Sequence, residues 1–246
     1  MQNKNVPPLD QGKRAYRLRR VRCVAAAETF RHFIECQKDV KDKLRLIDVG
    51  VGRGRLMQFL DPQGDLDDTI MWTGVDNDPV RLGQISESGR WQLHSVDIQD
   101  GLPFPDNTFD MVFCEQVLEH ISNPEGVLGE MVRVLRPGGK AVIGVPSFVA
   151  GISFLRKRCV WAVERFGHRT PSHVGTFTKS SFVRLCTDAG LVVEEVRGFR
   201  FVSGGLIGFL ENYYWWYRVN RWLGRKFPGL CVEVQVVATK AAGRAK

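Results

Sequence analysis

Apolar positions along the chain fall into two alternating patterns. Leu44, Leu46, Ile47 and Val49 make a short run that reads as a buried strand, with Asp48 near its end. Runs of the same kind follow at 70–76, at Trp91–Val96, at Phe109, Met111, Val112 and Phe113, and at 141–146. Residues 191–196 and 231–240 alternate apolar and polar side chains and read as a sixth and a last strand. Between these runs the spacing turns helical. A helix is predicted from about Arg55, and another after Asp78 and Pro79, where Asp78 serves as the cap. A third follows the stripe Leu128, Met131, Val132 and Leu135 and stops at Pro137-Gly138-Gly139. A fourth covers Thr178–Ala189, with Thr178 as N-cap, Gly190 as stop, and Phe182 and Leu185 inward. Strands alternating with helices predict an α/β fold built on a parallel, doubly wound sheet.

Residues 1–12, with Pro7, Pro8 and Gly12, read as a disordered lead-in, and 13–43 as a basic N-terminal helix. Cys23, Ala27, Phe30 and Ile34 recur there at helical spacing, which predicts packing on the flank of the sheet. Lys13–Arg20 stays open between that flank packing, a basic lid and a membrane-surface helix. The main domain, 44–246, contains two long insertions, at about 147–177 and 198–230, beyond the usual length of a plain connection. Both leave the sheet at its carboxyl edge, where open α/β sheets bind ligands, so they are expected to act as helical caps over the crevice. The second is rich in aromatics: Tyr213, Tyr214, Trp215, Trp216, Tyr217 and Trp222. Packing of the cap is expected first. An apolar acceptor pocket, or a membrane-interface belt with Arg218, Arg221, Arg225 and Lys226, is the alternative.

The turn after the first strand carries the chemistry. Gly50, Gly52 and Gly54 lead from the strand into a helix, and glycine lets a ligand rest directly on the backbone. A dinucleotide fingerprint G-x-G-x-x-G would need glycine at position 55, which is Arg55, and no Walker A run follows the strand. Asp76 ends the second strand about 20 residues further on, the distance at which such folds place a ribose-binding carboxylate. Asp76, with Asn77 beside it, is therefore a candidate for ribose, against the plainer reading that these residues cap the next helix.

The turn reads D-x-G-x-G-x-G. It is followed in order by L-P-F-P-D-N-T-F-D-M-V-F-C-E-Q-V-L-E-H-I at 102–121 and by the R-P-G-G turn at 136–139. These blocks resemble the class I S-adenosylmethionine-dependent methyltransferases, over about residues 44–146 and more weakly to 197. The resemblance implies a Rossmann-like, mostly parallel seven-stranded sheet with a C-terminal antiparallel strand. It also implies S-adenosylmethionine as cofactor and S-adenosylhomocysteine as product. Carried onto this chain, Gly50, Gly52 and Gly54 approach the methionine portion, with Asp48 bracing the loop. Asp76 and Asn77 meet the ribose. Asp97 and Ile98 hold the adenine. Glu115 and Gln116 lie beside the methyl group. Candidate bases are Glu115, Glu119, His120 and His173, with Glu115 and His173 foremost. His173 lies in an H-V-G-T-F-T block similar to one at the crevice edge of these enzymes. His120 is expected to be a structural histidine in a helix.

Composition then narrows the partners. The chain has 246 residues and a net charge of +8, concentrated before the first strand. Charge alone does not choose between nucleic acid, an anionic surface and an acidic substrate. Six cysteines lie scattered without a C-x-x-C pair, which predicts reduced thiols and no metal site. No signal-peptide core or run of about 18 uncharged apolar residues is present, so a cytoplasmic protein, at most peripheral at the membrane, is expected. Absence of [DN]-P-P-[YFW] after the fourth strand and of any Pro-Cys pair argues against nucleic-acid methylation of those types. The expected activity is methyl transfer to oxygen or nitrogen of a small molecule, lipid-linked or saccharide. RNA or protein methylation is the alternative enzyme reading. A non-catalytic cofactor-binding regulatory subunit is the alternative outside enzymes. Oligomeric state is not legible.

Overall fold

The computed structural model describes residues 20–37, 42–86, 90–147, 175–201, 210 and 213–242. Seven strands form one sheet: β1 Leu44–Val49, β2 Ile70–Asp76, β3 Trp91–Ser95, β4 Phe109–Glu115, β5 Leu135–Pro146, β6 Leu191–Phe199 and β7 Glu233–Lys240. Their order is β3-β2-β1-β4-β5-β7-β6. β1 to β5 pair in parallel, and β7 runs antiparallel to both β5 and β6. The helices are α1 Val21–Cys36, α2 Arg55–Leu60, α3 Pro79–Ser86, α4 Pro124–Val134, α5 Lys179–Asp188 and α6 Tyr214–Lys226.

Strand side chains alternate between two cores, which is why the sheet is covered on both faces. Leu44 and Leu46 of β1, with Met111 and Phe113 of β4, pack against Cys23, Ala27, Phe30 and Ile34 of α1 and against α2. Ile47 and Val49, with Val112 and Cys114, face the other way onto Leu128 and Met131 of α4 and Phe182 of α5. The predicted stripe on the first helix is thus the packed one. Reversal of strand order beside β1 places the tips of β1, β2 and β4 around one crevice.

Several local readings hold at residue level. Thr178 Oγ1 accepts from Ser181 N at 3.2 Å, and Ser181 Oγ accepts from Thr178 N at 2.9 Å, a reciprocal cap. Gly190 ends α5 with φ +95°. Asp78 Oδ1 accepts from Val80 N at 3.0 Å at the start of α3.

Others differ. β5 begins at Leu135 rather than near 141. The Pro137-Gly138-Gly139 turn is absorbed into the strand as an irregularity, because pairing with β4 jumps from Phe109↔Leu135 to Met111↔Lys140. The segment after β4 opens with a short 3₁₀ turn, Leu118–His120, before α4. The aromatic insertion differs most. Tyr213, Tyr214, Trp215 and Trp222 are more than half exposed, and Tyr217 is buried. The cause is the inner face of α6, which is built on Tyr217, Asn220 and Gly224 and turns its other aromatics outward. The lead-in, Lys13–Arg19, and positions 148–174 of the first insertion lie outside the described residues.

Candidate active site

The crevice starts at the glycine turn. Gly50 N and Val51 N both donate to Val75 O, at 2.8 and 3.0 Å, which folds the loop back over the tip of β2. Gly50 has φ +73°, and a Cβ there would come within 2.3 Å of Val117 Cγ2. Gly52 has φ +55°, and the space its Cβ would enter is open except for Gly50 O at 3.8 Å. One glycine is thus needed for close packing beneath the loop, and the other leaves room above it.

Asp76 ties this loop to β2. Its Oδ2 accepts from Gly52 N and its Oδ1 from Asp78 N, both at 3.0 Å. Asp48 is fully buried beneath. Burial pushes its carboxyl well above the usual range, and the nearby Asp76 and Glu115 charges push in the same direction. Asp97 caps the 3₁₀ turn Ile98–Asp100 by accepting from Gln99 N at 3.0 Å, and Ile98 is buried beside it.

Two cavities meet at Gly50, Arg81 and Gln116. One, of about 410 Å³, is lined by Asp76, Asn77, Asp97, Ile98 and Gln99 and by His120 at its rim. The other, of about 480 Å³, is lined by Asp48, Gly52 and Glu115 and by Arg22, Arg55 and Arg81. Of the residues predicted to hold the cofactor, Gly54 alone lines neither. It caps α2 in the left-handed region, and its Cβ position lies 3.6 Å from Ile85 and Trp91 side-chain atoms.

The pair fits an adenosyl amino acid. Carboxylates and an apolar face stand at one end, as ribose and adenine require. Cations and carboxylates stand at the other, as a zwitterion requires. Gln116 carries two further signs of a ligand site at the junction. It holds φ +59°, and its Nε2 is buried with no hydrogen-bond partner among the described residues.

Arg22 is the residue that sequence reasoning missed. From the first turn of α1 its Nε lies 3.2 Å from Glu115 Oε2 and its Nη1 3.0 Å from Glu233 Oε1. Gln235 Nε2 donates to the other Glu115 oxygen. Burial raises the Glu115 carboxyl from its ordinary 4.5 to about 7, against the pull of Arg22 and Gln235. His120 is nearly half exposed in its 3₁₀ turn and edges the cavity. Glu119 is buried beside it, its carboxyl raised by burial. His173 lies outside the described residues. Among the described residues no cluster of His, Cys, Asp and Glu could hold a metal ion.

The state of Glu115 predicts a pH signature. Folded, it keeps its proton up to about pH 7; unfolded, it ionises near 4.5. Between those values the unfolded chain binds fewer protons, so stability falls as pH rises and levels off above about 7. Urea denaturation should show the native chain losing about 2 kcal/mol more stability than Glu115→Gln between about pH 5 and pH 8. Parallel profiles would contradict it.

A doubly wound sheet, a glycine turn and an acid at the tip of β2 define a class. Residues 47–143 match the methyltransferase domain family, and this match together with the relatives supports a class I S-adenosylmethionine-dependent methyltransferase. Among its relatives is the ubiquinone/menaquinone biosynthesis C-methyltransferase UbiE of Cupriavidus metallidurans, 26% identical over 189 residues, covering 70% of this chain and 76% of that one. The demethylmenaquinone methyltransferase of Tropheryma whipplei is 36% identical over 108 residues, 40% of each chain. The sterol 24-C-methyltransferase erg-4 of Neurospora crassa is 29% identical over 119 residues, 44% of this chain and 29% of that one. In fold, the chain is similar to the [4+2]-cyclase SpnF, with a TM-score of 0.57 and 20% identity over 86% of this chain and 80% of that one. It is equally similar to a geranyl diphosphate methyltransferase, with a TM-score of 0.57 and 17% identity over 89% and 85%.

Proposed function

We propose that this enzyme methylates a small-molecule acceptor with a substantial apolar part, free or lipid-linked. The observation that supports cofactor-dependent transfer is the pair of cavities joined at Gly50, Arg81 and Gln116. When bound, S-adenosylmethionine supplies an electrophilic methyl group on a sulfonium. Asp76 and Asn77 receive the ribose hydroxyls. Asp97 takes the exocyclic amine of the adenine, and Ile98 covers a ring face. Gly50 and Gly52 admit the methionine portion, Asp48 braces the turn, and Arg22 faces the carboxylate. Gly54 contributes as the cap of α2. Gln116 donates from the junction.

Transfer in this reading is mainly a matter of holding donor and acceptor in line. An oxygen or nitrogen acceptor also needs a base. A carboxyl that titrates at about 7 is suited to that task, so Glu115 is one candidate and His173 the other. Relatives named for quinone and sterol C-methylation support an apolar acceptor and add carbon to the atoms to be tested.

The test is transfer of a labelled methyl group to a panel of isoprenoid phenols, lipid-linked saccharides, bulk RNA and protein. Label should enter an organic-soluble small molecule. Label found in RNA or protein alone would overturn the proposal. So would binding of the cofactor with no turnover on any acceptor.

A further inference from the structure

In α6 the usual amphipathic arrangement is reversed. Its buried side is narrow and made of Tyr217, Asn220 and Gly224. Gly224 lies so close to β6 that a Cβ there would sit 1.9 Å from Gly198 O. Arg221 fixes the helix to α1 through an ion pair with Glu28, and its Nη1 donates to Tyr217 Oη at 2.9 Å. At 3.6 residues per turn, Tyr214, Trp215, Arg218, Val219, Trp222 and Lys226 share the opposite arc. Tyr214, Trp215 and Trp222 are 54%, 52% and 56% exposed. Lys226 Nζ lies 4.9 Å from the centroid of the Trp222 ring. No acidic residue occurs from Tyr213 to Lys226.

Large rings held outward on a fixed helix, interleaved with cations and free of acids, match an amphipathic bilayer interface. The rings suit the boundary of acyl chains and headgroups, and the cations suit anionic headgroups. A second copy of this chain would set the same cations against each other. Position adds to the argument. Tyr217 packs with Val21 and Ala25 of α1 and with Phe199 at the end of β6. Arg22, between those two α1 residues, lines the cavity of the site.

We propose that α6 is an interfacial helix that docks its aromatic and basic face on an anionic lipid bilayer, beside the crevice. Docking does not depend on the acceptor proposed above, and the two can fail separately.

The full chain should sediment with phosphatidylglycerol-rich vesicles, bind pure phosphatidylcholine vesicles weakly, and be released by high salt. Lipids brominated on the acyl chains should quench its tryptophan emission. Trp215→Ala with Trp222→Ala should lose that quenching and weaken vesicle binding by about tenfold or more. Arg218→Glu should weaken it by about tenfold while keeping the rings. Undiminished binding of S-adenosylhomocysteine shows that these variants are folded. Vesicle binding by the double variant equal to that of the native chain would overturn the proposal. So would absence of quenching. A tryptophan-dependent dimer in light scattering, or tryptophan-dependent retention on RNA, with vesicles left unbound, would also overturn it.

Discussion

An Asp76→Ala variant is expected to bind S-adenosylmethionine at least a hundredfold more weakly than the native chain. The carboxylate does two jobs at the tip of β2. It accepts the Gly52 and Asp78 amides that shape the glycine turn, and in the proposed reading it accepts the ribose hydroxyls. Hydrogen bonds to a charged acceptor are each worth about 1.5–3 kcal/mol, so losing two costs roughly two decades or more in affinity. Asp76→Asn keeps one acceptor oxygen and should fall between the two. Calorimetric titration with S-adenosylhomocysteine measures the difference, with near-ultraviolet circular dichroism as the check on folding. An unchanged dissociation constant in Asp76→Ala would remove the ribose role.

The second large effect is expected from Gly50→Ala. At φ +73° an alanine pays the left-handed penalty, and its Cβ would meet Val117 Cγ2 at 2.3 Å. Strain of this kind costs about 1–3 kcal/mol, and overpacking costs a similar amount. Val117 belongs to the segment that carries Gln116, so relief of the clash displaces the junction of the two cavities. Stability should fall by about 2–4 kcal/mol in urea denaturation, with loss of cofactor binding. Gly83→Ala is the control, because outside its own helix backbone and chain neighbours nothing lies within 4 Å of its Cβ position. Equal effects from both substitutions would contradict the packing argument.

Much of this arrangement could be read from residues close together in sequence. The glycine turn, Asp76 and the Thr178 cap each follow from local backbone chemistry, and apolar alternation found the strands. What escaped the reading depends on contacts between distant segments. Arg22 stands out in no local pattern; it matters because α1 crosses to the tip of β4, where Glu115 sits. The left-handed backbone of Gln116 carries no glycine or asparagine to announce it. The start of β5 was hidden because Pro137 and the two glycines look like a stop, and pairing with Phe109 overrides them. The aromatic run at 213–222 looked like core. Gly224 decided otherwise, since the close approach it permits selects which side of α6 turns inward.

The most direct measurement is a crystal structure of the full chain with S-adenosylhomocysteine. The account predicts its ribose within hydrogen-bonding reach of Asp76, its adenine against Ile98, and its sulfur facing Gln116. Density for the ligand away from the glycine turn, or a ribose out of reach of Asp76, would contradict it.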